Sequence, residues 1–526
     1  MSARLKSQKD AVVIGGGIAG LATAALLARD GFRVTVLEAR TELGGRAGTW
    51  ENSGFRFDTG PSWYLMPEVF DHFYRLLGTS SEQQLSLKSL DPGYRVFFEK
   101  HADSLDIASD RETNLRTFDR IEHGAGSALD RYLVSAKSAY EVALRRFLYS
   151  TFSSPRGLLT SDVLTQTLRL ARLLLQPLDR FAGRYVKDQR LRQILGYPAV
   201  FLGSSPSMTP SLYHLMSHLD LEDGVYYPDG GFSAVIASIA ALARAEGVDI
   251  ITGARATAIT TTAAGTKTRV TGVNHVDVDG NVSHVAADVV VSGADLHHTE
   301  TQLLPEPLRT YPQKRWSSRV AGPGSILVML GVRGELPELA HHSLFFTEDW
   351  HENFRSIFTE PTSIPDPASI YVCRPSATDA AVAPAGHENL FVLVPVPADP
   401  SIGGGGVDGS GDAKIETVTD RVIEQIADWA HIPDLAERIV LRRTIGPADF
   451  ERDFHSWKGS ALGPAHVLRQ SAFLRGKNVS SKVDGLLYAG ATTVPGIGLP
   501  MCLISAELVI KRLRGDTSSS ALPEPL

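Results

Sequence analysis

The run Gly15-Gly16-Gly17-Ile18-Ala19-Gly20 has the types and spacing to hold a pyrophosphate. It contains Gly15-x-Gly17-x-x-Gly20. Gly15 permits a tight turn, Gly17 lets backbone approach the phosphates, and Gly20 allows close helix–strand packing. The free N–H groups of a following helix supply partial positive charge, so Ile18 and Ala19 are candidate contacts. Glu38, followed by Ala39, stands where a carboxylate can accept hydrogen bonds from an adenosine ribose. A glycine triplet alone can be only a turn. Here Ala11–Ile14 predicts a buried strand, Leu21–Arg29 a helix and Arg33–Leu37 a second strand. That βαβ unit predicts dinucleotide binding, and its spacing alone does not choose between NAD and FAD.

Leu43-Gly44-Gly45-Arg46-Ala47 continues from the unit. A Gly-Gly-Arg in this position is similar to the extension in FAD-containing oxidoreductases of the amine-oxidase and carotenoid-desaturase type. The similarity implies backbone along the ribityl-pyrophosphate, with the arginine stabilising charge. No second such unit is seen for a nicotinamide. At the far end, Gly485 to Thr493 predicts a strand entering a small-residue loop. Pro495-Gly496-Ile497-Gly498-Leu499-Pro500-Met501 and a helix through Leu513 follow. A strand, Gly-rich turn and helix again put N–H groups beside an anion or a flavin edge.

Candidate proton acceptors are Tyr64, Asp449, Lys458 and the histidines, by chemistry only; no base is assigned. His297-His298 and His341-His342 resemble metal pairs, but neighbours in a strand point to opposite faces. No acidic or Cys partner stands at ligand spacing, so no metal site is expected. Cys373 and Cys502 cannot build a disulfide framework.

These residues need elements to position them. The 526 residues suffice for about three to four domains. At 43% hydrophobic and 21% charged, the chain is neither disordered nor coiled coil. A net charge of -7 gives no basic excess for nucleic acid. Arg4, Lys6 and Lys9 before the uncharged Ala11–Ala28 imitate an export signal, yet three glycines weaken that helix. No other run approaches a membrane span. Leu115 to His218 is mostly helical in pattern. Within it, Leu164, Leu168, Leu175 and Leu178 recur with Arg169, Arg172, Arg180, Arg184 and Lys187. That is the composition of an interfacial helix, and Leu158–Lys187 is the expected membrane contact. Tyr226 to Gly231 predicts a turn, Phe232–Glu246 a helix, and 248–251, 270–278 and 289–292 strands. Gly403–Asp412 predicts a flexible loop, and the residues from Thr517 a disordered tail.

Several segments together resemble bacterial and fungal phytoene desaturases. They are Ile14–Gly20, Gly44-Gly45-Arg46, Phe57-Asp58-Thr59-Gly60-Pro61-Ser62, Asp223–Gly231, Thr378–Gly386, Gly459-Ser460-Ala461, Gln470–Phe473 and Tyr488–Pro500. The resemblance covers roughly 10–514 and implies a mixed α/β fold. It implies a discontinuous Rossmann-type FAD-binding domain (8–75, 225–300, 478–515) and a sheet-based substrate domain (85–112, 301–477). A helical membrane-facing subdomain (113–224) and a tail (516–526) complete the expected division. It implies FAD held by Gly15, Gly17, Ile18, Ala19, Gly20, Glu38, Ala39, Gly45, Arg46, Gly60, Pro61, Ser62, Ala256, Gly490, Ala491, Gly498, Leu499, Pro500 and Met501. Ala491 stands where many related flavoproteins carry an acid, which leaves that contact to backbone. Asp58 is expected to fix the loop over the flavin.

The implied reaction is stepwise desaturation of phytoene towards lycopene, with a quinone or oxygen as unassigned final acceptor. Such a hydrocarbon partitions into bilayers at about 0.8 kcal/mol per buried CH₂. A cytoplasmic protein docked on the inner membrane face follows. The alternatives are an amine or protoporphyrinogen oxidase-like enzyme, a desaturase of another carotenoid, and a non-catalytic prenyl carrier of the GDP-dissociation-inhibitor type.

Overall fold

The computed structural model describes residues 8–153, 167–265 and 267–526. A five-stranded parallel sheet carries the N-terminal motif. Its order is Leu486–Tyr488, Val289–Ser292, Asp10–Ile14, Arg33–Leu37, Asp249–Ile251. Both faces are covered, so its strands are short β-branched runs rather than alternating ones. The helix Ile18–Arg29 is buried from Ile18 to Leu27. It is apolar all round because it lies between the sheet and the helices Gly231–Ala245 and Leu499–Arg514.

A seven-stranded sheet forms the second layer. Its order is Ile439–Ile445, Gly324–Arg333, His387–Val396, Ile370–Cys373, His342–Phe346, Tyr94–Phe98, Leu105–Ile107. Side chains alternate between faces with period two. Ile326, Val328, Val392 and Val394 pack under the helix Ala413–Trp429. Leu327, Leu393, Tyr371 and Leu344 point the other way and line the molecule's main cavity. Helices between residues 111 and 221 roof that cavity.

Four expectations change. The basic helix expected over 164–178 lies partly outside the described residues. Its described part, Thr167–Leu175, ends before Pro177, which leads into a separate helix Leu178–Ala182. Leu175 is 74% exposed while Leu178 is fully buried, so these leucines do not share a face. Arg169 donates to Ser138 Oγ (2.9 Å) and Ser135 O (3.1 Å), which ties it inward; Arg172 and Arg180 are exposed. Tyr226–Pro228 is a strand paired with Leu87–Ser89, and the turn begins only after it. The Gly403–Asp412 loop is stitched down: Gly404, Gly405 and Gly406 N–H donate to Asp412, Asp449 and Thr444.

The tail is packed rather than disordered. Buried Lys511 donates to the carbonyls of Ser518 (3.0 Å) and Ser520 (2.5 Å). The Leu522 N–H donates to Glu507 Oε1 (2.6 Å), and the Leu522 side chain is buried. A buried ammonium must find acceptors, and the returning chain provides them.

Candidate functional site

The glycine segments fold onto one another. Gly17 pairs with Gly44, whose N–H donates to Gly16 O (2.9 Å). A Cβ on Gly20 would sit 1.9 Å from Gly15 O, and one on Gly60 would sit 1.9 Å from Arg46 O. Gly20 and Gly60 are therefore glycines of close packing. Gly15 (φ +97°), Gly490 (φ +106°) and Gly498 (φ +119°) instead need left-handed backbone.

Glu38 is buried at the end of its strand. Its Oε2 accepts from Gly16 N–H (2.5 Å) and its Oε1 from Arg40 N–H (2.8 Å). A carboxylate has about four acceptor sites, so two remain for ribose hydroxyls. Arg46 donates to Ser456 Oγ (2.7 Å) and lies 3.8 Å from Asp295 Oδ2. Asp295 also caps the helix Leu296–Gln302, accepting from His297 N–H (2.8 Å). Burial lowers the Arg46 pKa, opposed by Asp295.

One cavity of about 650 Å³ links these groups to the seven-stranded sheet. Of the expected contacts, all but Gly20 line it. Beyond Ser62 the wall turns apolar: Trp63, Phe201, Leu327, Leu344, Phe346 and Leu393 belong to it. It runs on towards Phe152, Leu174, Phe473 and Leu474, of which Phe473 is 55% exposed.

The family described as "Flavin containing amine oxidoreductase" matches residues 18–509. A carotenoid 3,4-desaturase of Haloarcula japonica is 41% identical, covering 97% of this chain and 99% of its own. A zeta-carotene-forming phytoene desaturase of Myxococcus xanthus is 34% identical, covering 95% and 93%. The chain belongs to the flavin-containing amine oxidoreductases, within their carotenoid desaturases. Among solved structures, an oxidoreductase from Methanosarcina mazei gives a TM-score of 0.61 at 16% identity, covering 95% of this chain and 100% of that one. Putrescine oxidase bound to putrescine gives 0.59 at 14%, covering 97% and 99%. At these identities they show the fold alone. The enzyme is an FAD-dependent oxidoreductase acting on CH–CH groups.

The residues present fit the flavin nucleotide. Backbone at Gly15, Gly17, Ile18 and Ala19 lines the cavity at the N-terminus of a 12-residue helix. A Cβ added to Gly17 would meet Gly44 O at 3.8 Å and Gly45 Cα at 3.9 Å, so no protein atom crowds the side from which a phosphate can approach its backbone.

Asp58 acts at a distance the sequence hid. Its Oδ2 accepts from Phe232 N–H (2.7 Å) and its Oδ1 from Ser233 N–H (3.2 Å), capping the helix Gly231–Ala245. A Cβ on Gly231 would meet Asp58 Oδ2 at 2.4 Å, which explains the glycine there. Burial lifts the Asp58 pKa to about 6 against these bonds.

Three of the candidate proton acceptors lie off the cavity wall. Tyr64 is fully buried and stacks on Phe70 at 4.3 Å. Asp449 accepts from Gly446 N–H (2.7 Å) and Gly405 N–H (2.6 Å). Lys458 lies over the Trp457 ring at 5.5 Å. The histidine pairs also differ from expectation. His297 and His298 sit on a helix, and His298 stacks on His455 at 3.9 Å. The His341 and His342 rings are 4.6 Å apart rather than on opposite faces, because His341 precedes its strand. Strand pairing sets Cys373 opposite His342, and ligand atoms of His341, His342 and Cys373 lie within 4.8 Å of one another. Burial pushes the His341 pKa down to about 3 and the Cys373 thiol up to about 12.

Proposed function

We propose that this enzyme desaturates an acyclic carotenoid threaded along the apolar limb of the cavity. The observation that carries the proposal is the continuity of that limb with the glycine-lined end. A hydrocarbon offers no hydrogen-bonding group, so shape and apolar lining must select it. When bound, the flavin accepts the hydride; the protein's residues hold, orient and dry the reacting carbons. The name of the 41% identical relative favours the 3,4 bond of a carotenoid. The name of the 34% identical relative, a zeta-carotene-forming phytoene desaturase, supports phytoene as the substrate in the second reading.

The substrate is proposed to arrive from a membrane surface. No helix among the described residues is long and apolar enough to cross a membrane. Exposed Leu175, Leu468, Phe473 and Leu474 lie on or near the apolar end, and exposed Arg172, Arg180 and Arg184 belong to the adjoining helices and turn. Apolar tips flanked by cations suit an anionic bilayer. The test is anaerobic incubation of the flavin-loaded enzyme with phytoene or lycopene in anionic vesicles. Chromatography then shows which carotenoid gains a double bond. Neither being altered while an amine substrate is oxidised would refute the proposal.

A further inference from the structure

We infer that His466 is the catalytic proton acceptor of the desaturation, an inference that rests on the carotenoid-desaturase reading. Removing a hydride from a hydrocarbon leaves a carbon cation, whose neighbouring carbon must then lose a proton. An apolar cavity offers few groups to take it. Several polar residues on this wall are already engaged, and its other two histidines, His298 and His455, stack on each other at 3.9 Å. Glu38 is held by Gly16 and Arg40, and Asp295 by Arg46 and its helix. Tyr371 shares its hydroxyl with Ser62 (2.6 Å) and His342 (2.7 Å) and is a poor base at neutral pH.

His466 differs. Its ring lies in the cavity wall, and it is only 3% exposed. Nδ1 lies 3.1 Å from the Leu202 carbonyl. A carbonyl only accepts, so Nδ1 carries the proton and Nε2 keeps its lone pair. No partner among the described residues takes Nε2. It abuts Gly496, where a Cβ would stand 2.3 Å from Nε2. Only a glycine at 496 leaves room for that edge of the ring. The flavin-side residues Ile497 and Gly498 follow, while Leu202 and Tyr213 belong to the apolar limb. His466 thus stands where the two ends of the cavity meet.

Its position is rigid. Buried Arg475 donates to Pro464 O (3.3 Å) beside it and to Thr493 O (3.0 Å) and Ala491 O (2.5 Å) of the flavin-side loop. Burial and the Arg475 charge hold the His466 pKa well below its usual value, so the ring rests neutral with its Nε2 lone pair unprotonated, and the imidazolium it forms is a strong acid that gives its proton up readily.

The step balances as follows. Two C–H bonds break on neighbouring carbons. One electron pair leaves as hydride to the bound flavin; the other becomes the π bond, and its proton bonds to Nε2. The substrate loses two electrons and the flavin gains two. Reoxidation by a quinone or oxygen consumes the proton held by the imidazolium.

The test uses the flavin-loaded protein and His466→Asn, which keeps a donor towards Leu202 O but has no base. The variant should retain FAD and bind carotenoid in vesicles, while anaerobic flavin bleaching slows about 10²–10⁴-fold. A second readout needs no turnover. An acyclic polyene carrying a tertiary ammonium should bind wild type about tenfold or more tighter than the hydrocarbon, and the variant should lose that preference. Bleaching within about threefold of wild type, or an unchanged ammonium preference, overturns the role of His466. Should His466→Asn not fold, His466→Gln takes its place in both measurements. A wild type that binds carotenoids but is bleached by none overturns the desaturase reading itself.

Discussion

Asp220 carries a pH dependence that the fold makes measurable. It is 3% exposed, and its Oδ2 accepts from the hydroxyls of Tyr94 (3.1 Å) and Tyr197. Its Oδ1 has no hydrogen-bond partner among the described residues. Burial raises its pKa from 3.8 to about 7, outweighing the two tyrosine bonds. The folded protein therefore holds a proton that the unfolded chain releases near pH 4. The resulting stability is fully present below about pH 4 and lost as pH rises through about 7. At about 1.4 kcal/mol per pH unit, the whole window is worth up to about 4 kcal/mol. About 3 kcal/mol of it falls between about pH 5 and pH 8.5. Asp220→Asn imitates the protonated acid and does not titrate. Its stability relative to wild type should rise by that amount across the same interval. Denaturant unfolding at both pH values, at fixed FAD concentration, measures the difference, in which other titrating groups cancel. A gap that stays constant with pH would show that Asp220 keeps an ordinary carboxylate pKa.

Glu38→Ala removes the acceptor for two backbone N–H groups and for the ribose, and should weaken FAD binding about tenfold or more by flavin fluorescence quenching. Gly60→Ala must push the backbone away from Arg46 O, and should lower FAD content and melting temperature together. Changing Arg172 and Arg180 to Glu, with Phe473→Asp, should cut co-sedimentation with anionic vesicles while leaving FAD content intact. Each basic residue near such a surface is worth about 1 kcal/mol. Full retention by the triple variant would place the contact elsewhere.

The dinucleotide half of the fold was legible because its signal is local. Turn, helix, strand and Glu38 are contiguous, and each residue's type follows from a job within the unit. The flavin-family extension at Gly44 to Arg46 and the loop from Gly490 to Met501 were recognisable by resemblance. Partners far apart in sequence were not legible. Asp58 reaches the helix at Gly231, the His342 strand pairs with Cys373, and Lys511 gathers the tail. Charge and leucine spacing suggested one basic helix up to Leu178, yet Pro177 breaks it and Arg169 turns inward. His466 carried no spacing signal, because its significance lies in one ring nitrogen, without a partner among the described residues, at the junction of two cavity limbs.

The buried ionisable groups follow a common logic. His466, His341, His342 and His214 are all pushed towards their neutral forms by burial, and Asp220 is pushed the same way. Uncompensated charge beside the apolar limb would draw water into it, and a hydrocarbon cannot repay that desolvation with hydrogen bonds. Charge is instead kept at the glycine-lined end, where Arg46 faces Asp295 and Glu38 caps Gly16 and Arg40. A dry limb also protects a carbon cation from capture by water, so that losing a proton, not gaining a hydroxyl, completes the reaction. Of these five groups only His466 lines the cavity, so its neutrality before the step bears on the reaction, while that of the other four follows from packing. A lysine introduced at Leu327 or Leu344 should accordingly abolish carotenoid binding while sparing FAD.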